Sequence, residues 1–198
     1  MLRNTRGFTL VEIVVVMLML GVVATIALPR AIKSSPELQV DLAARALTRD
    51  LEQMRMRAIA AKRSVRIVFD ESKNFYTAYM DVTPLRTAAF SLSSNEVERS
   101  GLLTKGSSGG VPGVPLPKRV EFGTGSVSVG PQSYAASDAI ALDNDWVEFD
   151  ARGMANPAGK DGVIFLVHSK EPSAIAAVTI SGASAFQAWR FRGGKWIK

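Results

Sequence analysis

Apolar residues are gathered at one end of this 198-residue chain. Phe8 to Leu28 is a run of 21 residues, 17 of them apolar; the exceptions are Thr9, Glu12, Gly21 and Thr25. As a helix the run is expected to be roughly 32 Å long, enough to cross a bilayer core of about 30 Å. Pro29 closes it and is expected to bend or break the helix. A seven-residue leader, Met1 to Gly7, precedes it and carries Arg3 and Arg6. Positive charge on the short side of a first apolar helix holds that side in the cytoplasm, so the rest of the chain is expected outside.

Beyond Pro29 the pattern becomes amphipathic, over residues 30–62. Ser35 can cap a helix and Pro36 suits its first turn. Leu47, Leu51, Met54 and Ala58 follow the i, i+4, i+7, i+11 spacing of a buried face. From residue 63 the period changes to two. Val65–Phe69 and Phe75–Tyr79 read as a hairpin across Asp70–Asn74. Residues 91–117 are rich in Ser, Gly and Pro and read as a flexible loop. Strand-like runs resume at Val120–Phe122, Ser126–Gly130, Trp146–Asp150, Val163–His168, Ala176–Ser181 and Ala188–Phe191. The expected class is α+β: a long amino-terminal helix, half membrane-spanning and half amphipathic, packed on a small antiparallel sheet domain at 63–198.

Composition narrows the chemistry. Hydrophobic residues make up 47% and charged residues 21%, which suits a packed core. There is no cysteine and one histidine, His168. Disulfides, thiolate metal sites and cysteine nucleophiles are excluded, and no histidine-based metal cluster can form within one copy. No metal and no cofactor are expected. The net charge is +6, which permits an anionic partner without requiring one.

Glu12 is the anomaly in the apolar run. A carboxylate near the start of a membrane helix costs up to a few kcal/mol, and a plain signal anchor gains nothing from it. Small residues near Ala24–Ala27 also leave a cleaved secretory signal open.

Gly7-Phe8-Thr9-Leu10-Val11-Glu12 resembles the processing site of type IV prepilins and type II secretion pseudopilins. The resemblance implies a cut between Gly7 and Phe8 by a membrane-embedded aspartyl peptidase, methylation of the new Phe8 amine, and an assembly role for Glu12. Family members often carry a proline where Pro29 stands. The physics is compatible. A buried ammonium and a buried carboxylate are each costly alone and far cheaper as a pair, so Glu12 of one subunit can meet the Phe8 amine of its neighbour. Loss of Arg3 and Arg6 with the leader would lower the charge from +6 to +4, termini aside.

The stretch leading into VRIVFD at Val65–Asp70, VEFDARG at Val147–Gly153 and AVTISG at Ala177–Gly182 resemble the H-type, or FimT-type, branch of pseudopilins. The implied protein is a non-catalytic minor subunit of a type II secretion pseudopilus or type IV pilus. The implied partners are prepilin peptidase, other pilins or pseudopilins and an inner-membrane assembly platform. Implied too are single-pass residence in the inner membrane with a periplasmic carboxy-terminal domain, then residence in a filament.

The alternative is a DNA-binding minor pilin acting in uptake. Some FimT-type members bind DNA through an arginine motif after that last glycine, but here Gly182 is followed by Ala183-Ser184-Ala185. Arg190, Arg192, Lys195 and Lys198 interleave with aromatics and could contact nucleic acid. The plainer reading is a final strand with alternate residues packed inward, then a frayed basic end. Asp138, Asp143, Asp145, Glu148 and Asp150 could ligate calcium or support hydrolysis, but lack EF-hand spacing. A solvated acidic turn is the expectation. Gly153–Lys160 is one residue too long for a phosphate loop. His168, in an apolar strand, is expected to be a satisfied structural histidine.

Overall fold

The computed structural model describes residues 9–31, 35–81, 97–98, 103–142, 144–156 and 161–198. They fall into two units, divided between Ser35 and Pro36.

The first unit is built on helix α1, Leu10–Ala31. The backbone stays helical through Pro29 for two further residues, so Pro29 is not where the helix stops. A proline removes one donor from the ladder, and a helix can absorb that loss without ending. Among the described residues no helix is long and apolar enough to cross a membrane.

The second unit opens with helix α2, Pro36–Ala61. Proline stands in its first turn, as its fixed φ favours and as the sequence led one to expect. The helix ends where Lys62 turns left-handed, at φ 53°. Val40, Ala43, Ala44, Leu47, Leu51, Met54 and Ala58 form its buried face.

One sheet contains β1 (Val65–Asp70), β2 (Phe75–Asp81), β3 (Val97–Glu98), β4 (Gly106–Ser108), β5 (Val111–Pro115), β8 (Trp146–Phe149) and β9 (Ala155–Asn156). Its order is β4-β5-β2-β1-β8-β9, with β3 also on β2. The other contains β6 (Val120–Phe122), β7 (Ile140–Ala141), β10 (Gly162–His168), β11 (Glu171–Ile180), β12 (Phe186–Arg192) and β13 (Lys195–Ile197). Its order is β13-β12-β11-β10-β6, with β7 also on β10. Every pairing is antiparallel. The α+β class holds.

Helix α2 packs on β10, β11, β12 and β1. Its buried face joins Ile67, Phe69, Tyr76, Phe122, Phe149, Leu166 and Val178 in one core. The far face of β10–β11 is covered as well. Val163, Phe165 and Ala177 meet Val127, Tyr134, Trp189 and Trp196 there. Covering on both faces makes Val163, Ile164, Phe165 and Leu166 all fully buried, as in strands that read as unbroken apolar runs.

Three expectations are corrected. Part of 91–117 is a hairpin, β4–β5, turning at Gly109-Gly110 with φ 57° and 79°. That double left-handed turn suits two glycines. Ser126–Gly130 is not a strand and makes one isolated bridge, Val129 to Ala135. The basic end is not frayed, since Lys195–Ile197 pairs with β12 as β13.

Candidate processing and assembly segment

Gly7 and Phe8 lie outside the described residues. Thr9 is the last non-helical residue before α1. Its hydroxyl accepts a hydrogen bond from the Glu12 amide at 3.2 Å, and its carbonyl accepts the Ile13 amide at 3.3 Å. Thr9 is therefore an N-cap, filling the role that Ser and Thr favour because it satisfies an orphan first-turn donor. Glu12 stands in that first turn, where the partial positive charge of the helix end favours an acid. Its side chain is exposed, and its carboxylate makes no hydrogen bond among the described residues.

The apolar side chains of α1 from Leu10 to Val23 are equally uncovered. Their exposures run from 45% at Val15 to 80% at Leu10. A strip of such residues on one 22-residue helix is far more than the scattered single exposures of an ordinary surface.

The basic candidates at the other end lie on the β12–β13 hairpin. Arg190 faces Ile197 across the ladder and Arg192 faces Lys195; all three cations are exposed. Trp189, Phe191 and Trp196 take the alternate positions. Trp196 packs on Phe191 and Phe165 and donates its indole N–H to the Val129 carbonyl at 3.0 Å. Lys198 rests its ammonium 5.1 Å from the Trp189 ring centre. The aromatics thus hold the hairpin to the fold and do not form an open stacking platform.

The acidic segment does not act as one cluster. Glu148 is buried and takes two hydrogen bonds from Arg66, at 2.6 and 3.1 Å. Arg66 also stacks 3.9 Å from the Trp146 ring centre. Asp150 accepts the amides of Arg152 and Met154 at 2.8 and 2.9 Å, and the Arg152 side chain at 3.0 Å. Burial raises its pKa, but these donors outweigh it and the net shift is downward. Asp143 lies outside the described residues, among which no group of acids and histidines could hold a metal. The VEFDARG stretch is therefore β8 plus an Asp-capped turn. That turn closes on α2, where Arg55 donates to the Gly153 carbonyl at 2.9 Å.

His168 is only half satisfied. Its Nδ1 accepts the Lys170 amide at 3.3 Å, while its buried Nε2 has no partner among the described residues. Gly106-Ser107-Ser108-Gly109-Gly110 has G-x-S-x-G spacing, which the sequence reading missed. Here it forms the β4–β5 hairpin, whereas a nucleophile elbow needs a strand-to-helix turn.

Sequence reasoning missed one polar network entirely. Asp50, buried on α2, accepts the Tyr76 hydroxyl at 2.6 Å and the Lys105 ammonium at 2.7 and 2.9 Å. Burial, followed by the bond to Asp50, raises the Tyr76 pKa far above its usual value and keeps it a donor. An acid on the apolar side of α2, between Leu47 and Leu51, was the available signal.

Residues 2–28 match the prokaryotic N-terminal methylation motif. No curated protein matches the chain. Among solved structures the chain is similar to the minor pseudopilin EpsH from the type 2 secretion system of Vibrio cholerae. That likeness is at 10% identity and a TM-score of 0.47, covering 79% of this chain and 99% of that one. It is also similar to the type IV minor pilin FimU of Pseudomonas aeruginosa, at 12% identity and a TM-score of 0.42, covering 80% and 92%.

Proposed function

We propose that this chain, which carries a prokaryotic N-terminal methylation motif, is the precursor of a minor pilin or pseudopilin. It would be a structural subunit of a type IV pilus or type II secretion pseudopilus, and a substrate of an enzyme rather than an enzyme. The motif match over residues 2–28 carries the reading. In it, residues 1–7 are the leader, removed by prepilin peptidase, and the amine of Phe8 is methylated. Residues 8–29 anchor the chain in the inner membrane; the span rests on the apolar run of the sequence. Residues 30–62 and the β-rich part from 63 lie in the periplasm, then on the filament.

Glu12 is the assembly residue. The uncovered apolar side chains of α1 and the unpartnered Glu12 carboxylate support this, because both need neighbours that a single chain does not supply. Other pilins and the inner-membrane platform are those neighbours. The H-type assignment rests on the VRIVFD, VEFDARG and AVTISG stretches. Nothing found favours the DNA-uptake alternative.

The test is intact mass and amino-terminal sequencing after co-expression with a prepilin peptidase. Loss of seven residues with a methylated Phe8, abolished by Gly7→Ala, is the expected result. Glu12→Ala is expected to be cut yet to assemble poorly. An intact leader, or a cut near Ala27, would overturn the reading.

A further inference from the structure

We propose that the second unit carries a docking site for a short segment of another polypeptide, an apolar residue beside an acid, in the cleft between α2 and the β11–β12 turn. The cleft has a volume of about 410 Å³. Glu52, Arg55 and Met56 line it from α2, and Ser184, Ala185 and Phe186 line it from the turn and the start of β12. That volume is at the small end of ligand sites, which run from ~300 to ~1,000 Å³. It suits a pair of side chains rather than a folded element. The proposal does not depend on the pilin reading, because every residue of the cleft lies in the second unit.

Two costs meet the cleft at Ser184. The residue is fully buried, and its hydroxyl has no hydrogen-bond partner among the described residues. It also holds φ 57°, in the left-handed region that favours glycine. The turn pins it there. The Ser184 amide donates to the Ser181 carbonyl at 2.7 Å, the Ala185 amide to the Ser181 hydroxyl at 3.1 Å, and the Gly182 amide to the Asp161 carboxylate at 2.7 Å. Glycine would spare both the strained backbone and the buried orphan oxygen. Serine therefore lowers stability with no return inside the chain, and such local conflicts gather at functional positions.

The other lining residues define the ligand. Arg55 donates its Nε to the Gly153 carbonyl at 2.9 Å. That bond fixes the guanidinium and leaves its two Nη nitrogens without a partner among the described residues. A fixed guanidinium matches a carboxylate. Phe186 and Met56 give apolar surface beside it. Met56 is 62% exposed, and methionine adapts to varied partner side chains. Glu52, exposed at the same cleft, selects against dense negative charge, so one carboxylate is accepted and a phosphate is disfavoured. An extended segment with an apolar residue next to Asp or Glu supplies this combination, with backbone polar groups for the Ser184 hydroxyl.

The experiment titrates the full-length chain, in detergent micelles and with isotope-labelled methionine methyls, with the capped dipeptide acetyl-Leu-Glu-methylamide. The Met56 methyl signal is expected to shift and saturate, while those of Met17 and Met19 on α1 stay in place. Acetyl-Leu-Gln-methylamide is expected to bind about five-fold more weakly, because it lacks the charge that Arg55 meets. Ser184→Ala should weaken binding of the acidic peptide about three-fold. Ser184→Gly should weaken it as much while raising the thermal midpoint by about 2 °C, since the strain and the orphan group go together. A Met56 signal that does not saturate, or a Ser184→Ala variant that binds the peptide as tightly as wild type, would overturn the proposal. So would a Ser184→Gly variant that melts lower with binding intact, which would make the serine purely structural. Inorganic phosphate that shifts Met56 at lower concentration than the peptide would also overturn it, and would make the cleft a site for a phosphate-bearing partner.

Discussion

Leu10–Val23 and Val163–Leu166 are both close to unbroken apolar runs, and the chain treats them in opposite ways. Every residue of the second is fully buried, whereas no apolar side chain in the first is less than 45% exposed. The strand is sandwiched between α2 on one side and Trp189, Trp196 and Tyr134 on the other. Hydrophobicity alone therefore does not identify a core. A core exists where the chain also supplies the cover, and over Leu10–Val23 the described residues supply none.

The comparison can be broken most forcefully in the core. Phe165→Ala is expected to lower the unfolding free energy by about 3–5 kcal/mol. Leu20→Ala, at a site 63% exposed, should change it by less than about 0.5 kcal/mol. Denaturant titration in detergent measures both. A large loss at Leu20 would mean that the protein covers its own helix.

A somewhat smaller effect tests whether the buried unit depends on charge as well as packing. Arg66→Met leaves the Glu148 carboxylate buried and unpaired, at a cost of about 3 kcal/mol. The double variant with Glu148→Met should recover most of that. Failure to recover would assign the loss to the Arg66–Trp146 stack.

The smallest effect is at the surface turns. The Lys73 side chain, then Ser72, lower the pKa of Asp70 from its usual 3.8, and Asp150 is also lowered. Both groups bind protons more weakly folded than unfolded. Their stabilisation is thus present above the unfolded value and lost as pH falls through the folded one. Stability should decline below about pH 4, and Asp70→Asn with Asp150→Asn should flatten that decline. An unchanged acid limb would place the sensitivity elsewhere.

What could be read beforehand follows the range of the interactions involved. The α1 run, the buried stripe of α2 and the β1–β2 hairpin depend on neighbours within a few positions, and periodicity exposes such neighbours. The β4–β5 hairpin was misread because its glycines looked like slack. Gly113 is instead a tight contact, where a Cβ would come within 2.4 Å of the Phe75 ring and 2.5 Å of the Tyr76 carbonyl. The acidic run looked solvated because the partner of Glu148 lies 82 residues earlier. The same distance effect hid Asp50, whose two donors come from β2 and from just before β4. For the candidate processing segment, residue identities were enough to single out Glu12. The capping role of Thr9 needed the helix boundary.

The Asp50 network also ties the inside of the protein to chemistry at its surface. The Lys105 side chain is 58% exposed while its nitrogen reaches a carboxylate that is 6% exposed. Acylating that one amine would abolish its charge and leave the Tyr76 hydroxyl as the remaining donor to Asp50 seen here. A modification made entirely from solvent would then be felt in the middle of α2, which makes Lys105 a natural reporter of whether this domain is folded.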